Sequence, residues 1–195
     1  MAYIQDEYDS TKLLLTSINI LLQTINELPI ETTDDLSIST TAKLAEMTII
    51  EVKKEVLSQG WHFNHDKSYP FPQDINGVIP VPANVLDISS SSGNIIMRDW
   101  RLYDKDKFTF EFTSPVLCNV VWDMDFNSLT HPIRHYITIK AARVFQARTI
   151  GDQMAYSFTV KDEEDAYLSA KFSESRTGKY NMLSSTFGSQ NSGLR

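Results

Sequence analysis

Apolar positions in the first third of the chain recur at helical spacing. Leu14, Ile18, Leu21, Ile25 and Leu28 fall at i, i+4, i+7, i+11 and i+14, which lines one face of an amphipathic helix. Asp9 or Ser10 can cap its start and Pro29 marks its end. After a polar link from Glu31 to Asp35, residues Ala42, Ala45, Ile49, Val52 and Val56 repeat the spacing. They predict a second helix from Ser39 to Gln59, stopped at Gly60. Two such stripes bury best against each other, so an antiparallel helix pair is expected.

From Lys67 to Trp122 the pattern changes to prolines, serines, aromatics and short apolar runs, the composition of strands and turns. Val78 to Pro82 reads as an edge or irregular strand, because each of its prolines lacks a ladder donor. Ser89 to Asn94 reads as a turn; Ile95 to Arg98, Arg101 to Tyr103, Phe108 to Phe112 and Val116 to Trp122 read as strands. Helical spacing returns from Thr130 to Ile150, with Ile133, Ile137, Ala141, Val144 and Ala147 inward and Arg134, Lys140, Arg143 and Arg148 on the other sides. Asp152 can cap a last helix to Ser175, with Met154, Phe158, Leu168 and Phe172 as its apolar positions. After Gly178 no period survives, and Tyr180, Met182, Leu183 and Phe187 stand among small polar residues.

The pattern therefore predicts an α+β fold, an antiparallel four-helix core with a small inserted β-subdomain and an extended C-terminal tail. The expected division is 1–66 for the N-terminal helices, 67–128 for the β-subdomain, 129–176 for the C-terminal helices of the same bundle and 177–195 for the tail. At 195 residues with 42% hydrophobic and 22% charged, the composition is that of an ordinary globular chain, which excludes disorder of the whole.

Charge changes the picture more than composition does. Residues 1–60 hold 10 acids and 4 bases, 61–128 hold 9 and 5, and 129–195 hold 6 and 9, giving −6, −4 and +3 within a net charge of −7. Between Phe126 and Gly151 there is no acidic residue, while Arg134, Lys140, Arg143 and Arg148 are all present. Four cations on an acidic chain fall short of a nucleic-acid-binding domain. They suit either a solvated helix face or a head-to-tail pairing surface that meets the acidic first 60 residues of another copy, a contact that closes into a ring if the rotation is right.

Catalytic chemistry finds little to work with. His131 and His135 stand at i, i+4, the spacing of a zinc-binding pair, yet no third ligand accompanies them. Asp123 with Asp125, or Asp104 with Asp106, could be read as paired hydrolase carboxylates, making a glycan hydrolase the alternative to a structural role. Aspartates two apart at strand ends more often cap turns. P-loop, nucleophile-elbow and dinucleotide fingerprints are absent. The single cysteine, Cys118, excludes an intrachain disulfide and a cysteine metal cluster. No cofactor, no metal and no enzymatic activity are expected. Met1 to Ser10 carries acids where an export signal needs bases, and no apolar run reaches membrane-spanning length, so no membrane partner is expected.

One segment is more specific than any of these. Asp123 to Asp152 carries Asp125-Phe126, Leu129, Pro132, Arg134, Tyr136-Ile137, Ala141-Ala142-Arg143, Phe145-Gln146, Arg148 and Gly151 in an ordered pattern. Gly60-Trp61 with Phe63-Asn64, Leu102-Tyr103-Asp104 before Phe108-Thr109-Phe110, and Tyr180-Asn181-Met182-Leu183 continue it elsewhere. From about Leu14 to Leu183 the chain resembles the tail tubular protein A family of short-tailed bacteriophages (podoviruses), although Asn127 to His131 set the helix-opening proline back to Pro132.

The resemblance implies a head-tail adaptor: a dodecameric ring of copies of this chain in the virion, joined to the portal protein above and to the tail nozzle protein (tail tubular protein B) below. It further implies tail fibres anchored near the lower junction and a channel that passes double-stranded DNA without sequence-specific binding. Such a protein would be assembled in the host cytoplasm. Within that frame Arg134, Lys140, Arg143 and Arg148 are the expected subunit-interface residues, and Tyr180, Asn181, Met182, Leu183 and Phe187 the expected portal-docking residues. An acidic lumen would suit the channel, since each phosphate contact adds salt-dependent grip.

Overall fold

The computed structural model describes residues 10–37, 39–150 and 160–177. Among them the chain is a mixed α+β fold of four α-helices and two small antiparallel sheets. The helices are α1 (Ser10–Gln23), α2 (Thr40–Leu57), α3 (His131–Thr149) and α4 (Val160–Thr177). The strands, all between α2 and α3, are β1 (His65–Phe71), β2 (Val85–Ser90), β3 (Ile95–Arg98), β4 (Arg101–Asp104) and β5 (Val116–Trp122).

Local chemistry explains the helix ends. The Ser39 hydroxyl accepts from the Ala42 amide at 3.1 Å, which satisfies one of the free donors at the start of α2. Pro132 lies in the first turn of α3, where its missing N–H costs nothing. Beyond α2, Gly60 takes φ +71°, and a Cβ there would stand 3.4 Å from Val121 on β5. A left-handed backbone that close to a strand favours glycine.

All five residues of the α2 stripe, Ala42, Ala45, Ile49, Val52 and Val56, are buried. In α1 the burial falls on Ile18, Leu21 and Leu22; the helix stops at Gln23, and Leu28 lies beyond it, 84% exposed rather than on the stripe. α3 differs most from its expected face. Ile133, Ile137 and Ala141 are buried, but so are Tyr136, Thr138, Ile139, Ala142, Phe145 and Gln146, whereas Val144 and Ala147 are only half-buried. This helix packs against α1, α2 and α4 at once, so its apolar surface runs nearly all round and no single stripe describes it. On α4 the contact residues are Ala166 and Ala170, while Leu168 and Phe172 are 56% and 66% exposed, correcting the expected stripe. Asp9, Asp152, Met154 and Phe158 lie outside the described residues.

One buried cluster draws on α1, α2, α3 and α4 and takes in Trp61, Phe126 and Leu129. A second, formed by Phe71, Ile79, Val81, Val85, Leu102, Cys118 and Val120, belongs to the β region. There β5 is the central strand of a sheet ordered β1-β5-β2, and β3 and β4 form a separate two-stranded ribbon. β1 and β2 are strands that the sequence pattern did not separate from their surroundings. Phe108 to Phe112 is not a regular strand, for it makes only the isolated bridges Asp104↔Thr109 and Val78↔Glu111. Val78 to Pro82 is irregular as expected, touching its neighbours through the Val78 and Pro80 bridges.

The β region abuts one end of the helices. The Leu14 amide donates to Asn127 Oδ1 at 3.2 Å, and the His62 amide donates to Glu174 of α4 at 2.6 Å. Asn64 donates through Nδ2 to the carbonyls of Leu57 and Trp122 at 3.0 and 2.8 Å, tying the end of α2 to the end of β5. At the opposite end the Gln146 side chain of α3 donates to the Thr24 carbonyl at 3.1 Å, beside the loop that joins α1 to α2.

Candidate interaction surface

The cations of α3 do not stand free. Arg148 donates through both terminal nitrogens to Glu51 of α2, at 2.6 and 2.9 Å, the two-point geometry that arginine alone provides. That hydrogen bond raises the Arg148 pKa and holds the Glu51 carboxyl below its usual range. Lys140 reaches Glu55 of α2 at 2.8 Å and Glu163 of α4 at 3.9 Å. Burial works against its ammonium, but the Glu55 hydrogen bond and the charges of Tyr136, Glu55 and Glu163 together raise its pKa. Arg143 meets Glu163 at 2.5 Å, and Arg134 donates to the Leu129 carbonyl just before its own helix.

α3 therefore sits as a positive strut between two helices that offer carboxylates. The structure brings Lys140 and Arg143 to one shared acid, Glu163, and pairs Arg148 separately with Glu51 of α2. Sequence reading found the cations and missed these acids. A signal was present: Glu51 and Glu55 are one turn apart on α2, and their partners Arg148 and Lys140 are two turns apart on α3. The expected portal-docking residues Tyr180, Asn181, Met182, Leu183 and Phe187 lie outside the described residues.

The paired aspartates are engaged in structure. Asp104, buried, accepts from the amides of Asp106 and Lys107 at 2.9 and 3.1 Å and so shapes the turn after β4. Asp123 pairs with Lys53 at 2.7 Å, and Asp125 caps the 3-10 turn Phe126–Ser128 by accepting from the Asn127 amide at 2.8 Å. The rings of His131 and His135 stack 6.2 Å apart at 10°. Burial, and then the charge of His131, lower the His135 pKa.

Among the apolar side chains left uncovered, two groups lie on helices. Leu44 and Met47 project from α2, beside a surface depression shared with Leu36, Thr40 and Lys43. Leu168 and Phe172 are neighbours at i, i+4 on the outer side of α4. Among the described residues no helix is long and apolar enough to cross a membrane.

No curated protein matches the chain. A family model does: the one described as tail tubular protein matches residues 15–180. That span includes both helix pairs and the whole β region, and it describes a structural component of bacteriophage tails. By this match over most of its length, the chain belongs to the tail tubular protein family.

Proposed function

We propose that this chain is the repeating subunit of an adaptor ring at the head-tail junction of the virion, twelve copies joining the portal to the tail nozzle protein. In this reading the channel passes the genome during ejection and tail fibres attach near the lower rim. The helices form one antiparallel bundle (1–66 and 129–176), the β-subdomain (67–128) is inserted between its halves, and the tail (177–195) extends to the portal. Assembly takes place in the host cytoplasm.

The observation that supports it best is the uncovered apolar surface on two different helices. Leu44 and Met47 on α2, and Leu168 and Phe172 on α4, make separate patches, which suits a contact between unlike faces of successive copies. Of the four basic residues expected at subunit contacts, Arg148 with Glu51 has the most surface to offer a neighbour. Lys140 and Arg143 serve first to clamp α3 to α2 and α4, and Arg134 to fix the start of its helix. Tyr180, Asn181, Met182, Leu183 and Phe187 are assigned to the portal.

Electron microscopy of the purified chain mixed with portal-bearing capsids tests this. The expected result is a closed ring of copies at the portal vertex, lost in Leu168→Asp/Phe172→Asp and also lost on truncation after Gly178. Single, unassociated copies at the portal would refute the ring.

A further inference from the structure

The β3–β4 ribbon departs from the rules of a stable hairpin in two places. Its two-residue loop is Asp99-Trp100, with φ of +52° and +56°. Positive φ at both positions fits the strand twist, but the second position favours glycine, and a bulky side chain held there is strained. The residue held is a tryptophan, 56% exposed. Next to it, Arg98 and Arg101 are directly opposite in the ladder, a like-charge pair that disfavours pairing.

Each arginine lies instead on a ring. The Arg98 guanidinium is 4.1 Å from the centre of Tyr103, Arg101 is 4.4 Å from Phe110, and the two rings are 4.8 Å apart. Among the described residues neither arginine has a carboxylate partner. Stacking fixes the guanidinium planes and leaves their N–H edges facing outward. Ile95, Met97 and Leu102 of the same ribbon face the β core, so the arginine face is its outer one.

We infer that this outer face, with Trp100 at its tip, docks the acidic α1–α2 loop of a second copy, where Glu27 and Glu31 flank Leu28. Asp99, Asp106 and Glu111 interrupt the positive face, which opposes a continuous phosphate backbone and suits discrete carboxylates. The loop presents them: Glu27 and Glu31 are exposed without ion pairs among the described residues, and Leu28 between them is 84% exposed. Ribbon and loop lie at opposite ends of the helices, separated by roughly the length of α2, about 27 Å. One chain cannot close the contact on itself, so it is head-to-tail between copies. The inference rests on the multi-copy reading above and specifies which ends meet.

The test is sedimentation velocity of the full chain at low salt, alone and with portal, for Arg98→Glu/Arg101→Glu, for Glu27→Arg/Glu31→Arg, and for their equimolar mixture. Circular dichroism melts of each variant establish that it folds. Either variant alone is expected to need at least about tenfold more protein to associate, since like charges then meet. The mixture is expected to return to the wild-type range, because every reversed end finds an end of opposite sign on the other variant. Trp100→Ser should weaken association without changing the melt.

Variants that associate like wild type would overturn this contact and leave the ring reading in place, as would a mixture that fails to recover. Loss of duplex-DNA binding with association unchanged would assign the ribbon to phosphate instead. A wild-type chain that stays single even with portal would overturn both readings.

Discussion

Trp61, just past the end of α2, joins that helix to α3 and α4, and its removal has a cost that can be worked out. The indole is fully buried; its Nε1 donates to the Val56 carbonyl at 2.7 Å. Tyr136 of α3 and Tyr167 of α4 pack on it with ring centres 6.5 and 6.4 Å away, and the Lys171 ammonium lies 4.1 Å over its face. Truncating a core tryptophan to alanine costs about 3–5 kcal/mol in lost burial and cavity. The lost hydrogen bond adds at the low end, about 0.5 kcal/mol, because the Val56 carbonyl keeps a second donor in the Gln59 amide at 3.3 Å. Lys171 is part-exposed, so its cation–π contribution is about 0.5–1 kcal/mol. Trp61→Ala should therefore lose about 4–6 kcal/mol, a large share of the roughly 5–15 kcal/mol that holds a domain of this kind. Trp61→Phe keeps an aromatic ring in the site and should lose about 1–2 kcal/mol. Urea unfolding followed by circular dichroism measures both, as midpoint shifts at constant slope; with slopes of about 1–3 kcal/mol/M the alanine variant shifts by roughly 1.3 M or more. A shift below about 0.5 M for Trp61→Ala would show that the joint lies elsewhere. Equal losses for the two variants would show that the polar bond, not the burial, is what matters.

On α4, Ala170→Leu should cost about 1–3 kcal/mol by overpacking the seam with α3, whereas Phe172→Ala should stay within about 0.5 kcal/mol in the unassociated chain; the reverse order in the same urea titrations would restore Phe172 to the core. Glu51 has a depressed pKa, caused first by the Arg148 hydrogen bond, so its stabilisation is present above the ordinary carboxylate pKa and fades as pH falls through the folded one. Glu51→Gln should accordingly flatten the acid limb of the stability-pH curve, more at low salt than at high, and an unaltered limb in urea titrations from about pH 7 to about pH 3 would refute that role for the pair.

The helix with one buried side and one solvent side was the legible part of this fold. α2 presents one side to α1 and α3 and solvent on the other, so its stripe could be read position by position, from Ala42 to Val56. α3 is covered by three helices, and a period of 3.6 picks out only one of its contacts; Tyr136, Ala142, Phe145 and Gln146 fell outside it. α4 misled for a different reason. Its seam uses Ala166 and Ala170, small residues that let helices approach but add little to a hydrophobic pattern, while the larger Leu168 and Phe172 point away. In the β region, β1 carries an interior Pro70 and mostly exposed side chains, so neither composition nor alternation marked it as a partner of β5. At the candidate surface the basic residues were visible as an acid-free stretch, but their partners Glu51, Glu55 and Glu163 depend on helix packing and were not. Arg98 and Arg101 bound two expected strands only two residues apart, which would have made them opposite, but Asp99-Trp100 lacks the glycine that marks such a turn.

The residues behind the family resemblance are largely those that hold the scaffold together. Trp61 packs the end of α2 against α3 and α4, Asn64 fastens α2 to the sheet, Phe126 and Leu129 close the passage from β5 to α3, and Tyr136, Ile137, Ala141, Ala142, Phe145 and Gln146 are the buried body of α3 itself. Even its cations work inward, since Arg143 and Arg148 of the signature pair with acids of the same chain. The signature thus specifies how the chain folds, and it is nearly silent about what the folded chain touches. Among the described residues, the surfaces proposed to meet partners lie where the signature does not reach: the outer side of α4, the depression beside Leu44 and Met47, and the loop around Leu28. The tip of the β3–β4 ribbon belongs with them, for Trp100 is held there against its backbone preference and is 56% exposed. Substitutions on these surfaces should change assembly while leaving unfolding midpoints alone, and substitutions at the buried signature residues should lower the midpoints. That separation gives each of the tests above a stability control independent of assembly.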